Sequence, residues 1–280
     1  MSKIAYFLLT KSFGLYLNFL VYIFPKKAQK LSYTLFSSPR AGKFKDNKLP
    51  KFLQVAVADK FTYLDYSVQT YVWQGNDEVI LLIHGWESNT SRWKKALPHL
   101  LSLGKTIVAI DAPAHGLTSG TEFNVPIYAE IIQLAIEKFK PDYLIGHSIG
   151  GAALVYNQYK YPNANIKKQI LLGTPDEVII IFRNYFKLLS LNNKNQKLFL
   201  NYFEVKYNID ITTFSGTTFA KNNKTETLII HDQTDAIVLF EEGKKLEKAF
   251  EFGTFVQTNL LGHSLHSDQV YQKIVSFLQY

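Results

Sequence analysis

The sequence predicts an α/β domain, a mostly parallel β-sheet flanked by helices on both faces. Two observations carry that prediction. Short, unbroken apolar runs recur at "VILLI" (79–83), "TIVAI" (106–110), "DYLIG" (142–146), "QILLG" (169–173) and "TLIIH" (227–231); such runs suit strands covered on both sides. Helical patterns fall between them, around 91–102, 126–139, 149–160, 241–250 and 269–279, and β-α-β alternation implies parallel neighbours. In a sheet of this kind, chemistry gathers at the carboxyl ends of the strands.

The chain has 280 residues, of which 47% are hydrophobic and 19% charged, enough for one large domain with a substantial core. It has no cysteine, which excludes disulfides, thiolate metal sites and a cysteine nucleophile. The net charge of +8 is unevenly spread. Residues 1–51 hold ten Lys/Arg and one acid, so this basic extension carries +9 and the remainder −1. A nearly neutral globular part argues against a nucleic-acid partner.

Taken in order, residues 4–24 form a greasy helical stretch of about the length that crosses a bilayer. Lys11, Gly14, Asn18 and Tyr22 recur along it at helical spacing as a narrow polar stripe. "PKKAQK" follows where a signal peptide would need a small-residue cleavage site. Three placements stay open: lying in a membrane interface, spanning, or packed on the domain. The expectation is a cytoplasmic protein that contacts a membrane surface through residues 1–51. "FLQVAVA" (52–58) and "TYLDYSVQTYVW" (62–73) read as an antiparallel pair at one sheet edge, and "TFVQT" (254–258) as the last strand. Between "QILLGTP" and "TLIIHD", residues 176–225 carry two helical patterns and no central strand. A long insertion after a strand's active end reads as a helical lid. The predicted organisation is an extension over 1–51 and a domain over 52–280 that carries the lid at 176–225.

The strongest local signal is "GHSIGG" (146–151), where Ser148 stands between an apolar strand and a run of small residues that opens a helix. A serine hydroxyl becomes a competent nucleophile only beside a base. A sharp strand-to-helix turn presents it, and glycine suits the positions two before and two after, Gly146 and Gly150. The helix start also places the Ile149 N–H where an oxyanion would develop.

With "IHGW" (83–86), "DAPAHG" (111–116), "IIHDQTDAIV" (229–238) and "LLGHS" (260–264) in that order, the sequence resembles the α/β-hydrolase family over most of residues 52–280. "DAPAHG" departs from the family's D-x-P-G-H-G turn at Ala114. The resemblance implies Ser148 as nucleophile, Asp235 as acid and His263 as base, with the backbone N–H groups of Trp86 and Ile149 as oxyanion hole. Ser148 precedes Asp235 by 87 residues and Asp235 precedes His263 by 28, the chain order expected of that fold. Asp232 competes with Asp235 and His266 with His263; the matching positions favour Asp235 and His263, leaving Asp232 as a turn residue. Asp111 reads as a turn-former. His84, His115, His147 and His231 lack metal-ligand spacing and read as loop or packing residues. The insertion's aromatics, Phe182, Tyr185, Phe186, Phe199, Tyr202 and Phe203, line an acyl pocket or, as the commoner outcome, form the lid's own core.

The implied function is a serine hydrolase acting on a small-molecule, uncharged carboxylic ester, with no metal or organic cofactor. Thioester or carbon–carbon bond hydrolysis and acyl transfer use the same residues. From another class, a non-catalytic, membrane-attached binding protein of the same fold is the alternative.

Overall fold

A computed structural model describes residues 3–45 and 48–279. Met1, Ser2, Asp46, Asn47 and Tyr280, which belong to the predicted segments 1–51 and 52–280, lie outside them. The chain opens with helices α1 (Lys3–Ile23), α2 (Pro25–Ser37) and the single turn α3 (Lys51–Gln54), followed by strands β1 (Val57–Tyr63), β2 (Tyr66–Trp73) and β3 (Asn76–Ile83). Then come α4 (Leu97–Leu101), β4 (Lys105–Ile110), α5 (Val125–Phe139), β5 (Tyr143–His147), α6 (Ile149–Lys160) and β6 (Lys168–Leu172). Helices α7 (Val178–Leu189), α8 (Asn193–Tyr207) and α9 (Gly216–Ala220) precede β7 (Glu226–Asp232), α10 (Phe240–Ala249), β8 (Gly253–Thr258) and α11 (Asp268–Gln279). The chain divides into two compact units, Met1–Ser38 with Glu177–Ser215, and Pro39–Asp176 with Gly216–Tyr280.

The second unit contains an eight-stranded sheet of order β1-β2-β4-β3-β5-β6-β7-β8. Strand β2 runs antiparallel to β1 and β4, and the other neighbours are parallel. Alternation along the central strands explains the unbroken apolar runs. Ile80, Leu82, Ile107, Ala109, Ile145 and Ile170 share a core with Trp93 and with Leu97 and Leu100 of α4 and Ile274 and Leu278 of α11. The intervening Leu81, Ile83, Val108, Leu144, Leu171 and Ile229 are as deeply buried on the opposite face. A two-sided sheet leaves few polar positions, so the central strands lose the alternating pattern seen at sheet edges.

One predicted boundary moves. The first strand is expected at 52–58, but Lys51–Gln54 forms a helical turn and the strand runs from Val57 to Tyr63. The hairpin reverses inside "TYLDYSVQTYVW", at Leu64-Asp65, with Tyr63 paired to Tyr66 and Leu64 at φ 50°. A positive φ at leucine is uncommon, and no Asn or Gly marks this turn in the sequence.

The first unit is helical. Pro25 opens α2 directly after α1, its missing N–H costing nothing at a first turn. Phe182 and Phe186 of α7 and Phe199 and Phe203 of α8 are buried against one another, and Phe36 of α2 meets Phe182 and Phe199 edge-on. The aromatic stripe of the insertion is therefore this unit's own core, completed by residues from the other end of the sequence.

In the sheet unit, Asp111 is buried at the end of β4 and ties two loops together. Its Oδ1 accepts from the Thr90 N–H and hydroxyl, and its Oδ2 from the Leu117 N–H and the Tyr71 hydroxyl. His84 and His115 complete the junction as neutral rings. His84 Nε2 accepts from the Ala112 N–H and His115 Nε2 from the Glu87 N–H, while their Nδ1–H groups donate to the Gly85 and Pro113 carbonyls. Burial holds His84 down to about 4 and His115 to about 3. Both rings are ordinary histidines when unfolded, near 6.5, so between that pH and about 4 the unfolded chain binds more protons and stability falls with falling pH. Burial raises the Asp111 pKa, an effect of opposite sign that acts only near the carboxylate range. Unfolding at pH 5 should therefore take up close to two protons at these two rings. Calorimetry from pH 7.5 to 5 checks this: the transition temperature is expected to decline below pH 6.5, and a flat profile would contradict the assignment.

Candidate active site

Ser148 joins β5 to α6 at φ 56° and ψ −130°. A non-glycine residue in that region stores roughly 1–3 kcal/mol of backbone strain. The surroundings hold it there: the Ser148 N–H donates to the Leu172 carbonyl at 2.8 Å, and the Ser148 carbonyl accepts from the Gly151 and Ala152 N–H groups. The flanking glycines are required by contact. A Cβ on Gly146 would stand 2.6 Å from the Gly151 Cα, and one on Gly150 2.3 Å from the His84 carbonyl oxygen. The strand, the helix start and the loop after β3 are thus packed backbone to backbone around the serine.

Two further loops reach it. His263 follows β8 in a single 3-10 turn, Gly262–Ser264, and its Nε2 lies 2.9 Å from Ser148 Oγ. Its Nδ1 lies 2.7 Å from Oδ2 of Asp235, in the loop after β7. The other Asp235 oxygen accepts from the Ile237 and Val238 N–H groups, both at 2.9 Å. Burial pushes the Asp235 pKa up, but the hydrogen bonds from His263, Val238 and Ile237 outweigh it and keep the carboxyl below its ordinary range. The group is therefore a carboxylate at neutral pH, oriented to accept from His263.

The competing residues are engaged elsewhere. Asp232 accepts from Thr234, from the Thr258 hydroxyl and from the Leu261 and Gly262 N–H groups. Burial opposes ionisation there, yet these donors bring Asp232 to about 2. Asp232 thus clamps the loop that carries His263. His266 Nδ1 lies 2.6 Å from the Tyr271 hydroxyl, and burial lowers its pKa to about 4.

Trp86 is half-buried in the loop after β3, its ring edge-on to Phe123 and His115. That loop abuts the serine: a Cβ on Gly85 would lie 3.0 Å from the Ser148 Cβ. Ile149 opens α6, so its N–H belongs to the first turn, where no carbonyl four residues back can accept it and the helix dipole is positive.

Two residues at the site carry more than their sequence suggested. His147, read as packing, is buried beside the serine, and its Nε2–H donates to the His263 carbonyl at 2.9 Å. Burial, reinforced by the nearby Arg92 cation, keeps it neutral well below the usual histidine pKa. Arg92 donates through Nη2 to the Ser264 carbonyl at 2.8 Å. Both hold the loop of His263 through its backbone, and a contact between residues more than a hundred positions apart leaves no sequence pattern. His231 donates to the Val238 carbonyl. Among the described residues no group of His, Asp and Glu side chains is arranged to hold a metal ion.

The tight contact at Gly150 gives a direct test. Replacing Gly150 by Ala should cost about 1–3 kcal/mol of unfolding free energy through overpacking against the His84 carbonyl. Denaturant titration checks this, and an unchanged midpoint would mean the packing around Ser148 is looser than described.

A model of the alpha/beta hydrolase fold family matches residues 78–279. A bifunctional esterase/perhydrolase of Acinetobacter calcoaceticus is 24% identical, over 72% of this chain and 91% of its own length. Among solved structures, Est1E of Butyrivibrio proteoclasticus with ferulic acid bound superposes with a TM-score of 0.66 at 18% identity, covering 79% of this chain and 98% of that one. A meta-cleavage product hydrolase of Pseudomonas fluorescens gives 0.59 at 15% identity, covering 79% and 97%. By the matched family model, and with a sheet order and a strand-turn-helix at Ser148 that agree with it, the chain belongs to the alpha/beta hydrolase fold family.

Proposed function

We propose that the protein is a serine hydrolase that cleaves uncharged carboxylic esters through an acyl-enzyme. The observation that carries this reading is the unbroken relay from Ser148 Oγ through the His263 ring to Asp235, at 2.9 and 2.7 Å. In the resting state Nδ1 of His263 bears the proton directed at Asp235, and Nε2 is free to accept the Ser148 proton. As Oγ attacks the ester carbonyl carbon, that proton passes to Nε2 and the carbonyl oxygen gains the negative charge. The Trp86 and Ile149 N–H groups would stabilise this oxyanion. Asp235 holds the ring and balances the imidazolium. Collapse of the tetrahedral species expels the alcohol, which takes the Nε2 proton, and leaves Ser148 acylated. Water then repeats the sequence, with His263 again as base, and the acid departs.

The strain at Ser148 supports the same role, since it keeps the hydroxyl at the turn apex instead of in a relaxed cap. Similarity to an esterase/perhydrolase is consistent with ester chemistry. The same relay serves thioester or carbon–carbon bond hydrolysis and acyl transfer, which a substrate panel separates.

A fluorophosphonate probe is expected to label the wild type and to spare Ser148→Ala. On p-nitrophenyl acetate, Ser148→Ala and His263→Ala should each lower kcat by roughly 10⁴-fold or more, and Asp235→Asn by about 10³–10⁴-fold. Their combination should cost little beyond the largest single loss, because the residues act as one unit. Equal labelling of Ser148→Ala, or an inert wild type across a graded ester panel, would overturn the proposal.

A further inference from the structure

Helix α1 has two faces with different partners. On one, Thr10, Gly14, Leu17 and Val21 are buried within the helical unit, and the stripe of Lys11, Gly14 and Asn18 meets the turn between α7 and α8. The Lys11 ammonium donates to the Lys187 and Leu188 carbonyls and to the Ser190 hydroxyl, at 2.8–3.2 Å. Asn18 donates to the Ser190 carbonyl and accepts from the Asn192 N–H and the Asn195 amide. A Cβ on Gly14 would fall 1.6 Å from the Leu189 carbonyl oxygen, so helix and turn touch backbone to backbone.

The face turned away from that seam is uncovered and, apart from Ser12, apolar: Leu8, Leu15 and Phe19, spaced seven and four apart, are 59–73% exposed. Single exposed apolar residues are ordinary; a continuous helical face of them marks an interaction surface. Length and composition alone would let Ile4–Ile23 cross a bilayer. The polar seam argues against crossing. Burial in hydrocarbon on all sides would either strip Lys11 and Asn18 of their acceptors or drag Ser190, Asn192 and Asn195 in with them.

Charge indicates what covers the face. The helical unit contains ten Lys/Arg against three Asp/Glu, and residues 1–38 contain no acid at all, whereas the sheet unit is nearly balanced. Lys26, Lys27 and Lys30 are exposed just past the end of α1. Basic side chains beside an apolar helical face are the pattern that binds anionic lipid headgroups. We infer that α1 lies in the plane of an anionic lipid surface, its apolar face in the headgroup–acyl boundary and its polar stripe retained by the turn at 187–195.

Vesicle flotation of the full chain tests this without reference to catalysis, so it stands or falls apart from the ester-hydrolase proposal. The protein should float with phosphatidylcholine–phosphatidylglycerol vesicles at least about tenfold more than with phosphatidylcholine alone. Binding should weaken with salt and be extracted by alkaline carbonate. Combining Leu8→Ser, Leu15→Ser and Phe19→Ser should abolish flotation while the helical circular dichroism and the cooperative thermal transition persist. Combining Lys26→Glu, Lys27→Glu and Lys30→Glu, which leaves the apolar face intact, should remove the preference for anionic vesicles. Carbonate-resistant binding to both vesicle types would indicate a span and overturn the inference. So would charge reversal without effect, or a wild type that never floats and migrates as a dimer dissociated by the apolar-face variant.

Discussion

The site depends on one strained residue that the packing of the sheet unit holds in place. Ser148 sits at φ 56° and ψ −130°, a conformation it would leave if the chain around it could relax. Relaxation is blocked on each side. The Leu172 carbonyl holds its N–H from the neighbouring strand, two N–H groups of α6 hold its carbonyl, and Gly146 and Gly150 bring backbone within a distance no side chain tolerates. Hydrophobic burial on both faces of the sheet, which dwarfs a few kcal/mol of local strain, keeps these strands in register. The serine hydroxyl is consequently presented beside His263 as a by-product of packing that it does not itself supply.

The loops that meet it are held by a second layer of polar contacts. Asp111 joins the loops after β3 and β4, and Asp232 gathers those after β7 and β8. His147 and Arg92 take the backbone carbonyls of His263 and Ser264. Each of these groups makes a hydrogen bond to the backbone of another loop, so the geometry at Ser148 is a property of several loops locked together. Asp235, by contrast, directs a side-chain oxygen at the His263 ring itself.

Much of this was legible in the sequence because its signals are local. Apolar runs without alternation require a two-sided sheet, and "GHSIGG" states the turn through its two spaced glycines. What was hidden lies in long-range partnership. The Leu64-Asp65 hairpin carries no Asn or Gly, and Asp65 alone inside the β-rich "TYLDYSVQTYVW" is too weak a signal to announce the reversal. Lys11, Gly14 and Asn18 are readable as a polar stripe, but their partners Leu188, Leu189 and Ser190 stand more than 170 positions later. The aromatics of the insertion read as a core of their own, but the residues that complete it, Tyr33 and Phe36 of α2, stand at the other end of the sequence. His147 looked like filler because its acceptor is a backbone carbonyl, and backbone atoms carry no sequence identity.

The central claim is that one hydroxyl becomes acylated because an imidazole on a distant loop takes its proton. The most direct measurement is acid quenching within milliseconds of mixing with a slowly deacylating p-nitrophenyl ester, followed by peptide mass spectrometry. The account predicts an acyl adduct on Ser148, formed with a burst of nitrophenol and absent from the His263→Ala protein. An adduct on any other residue, or turnover without an adduct or burst under conditions where deacylation limits the rate, would contradict it.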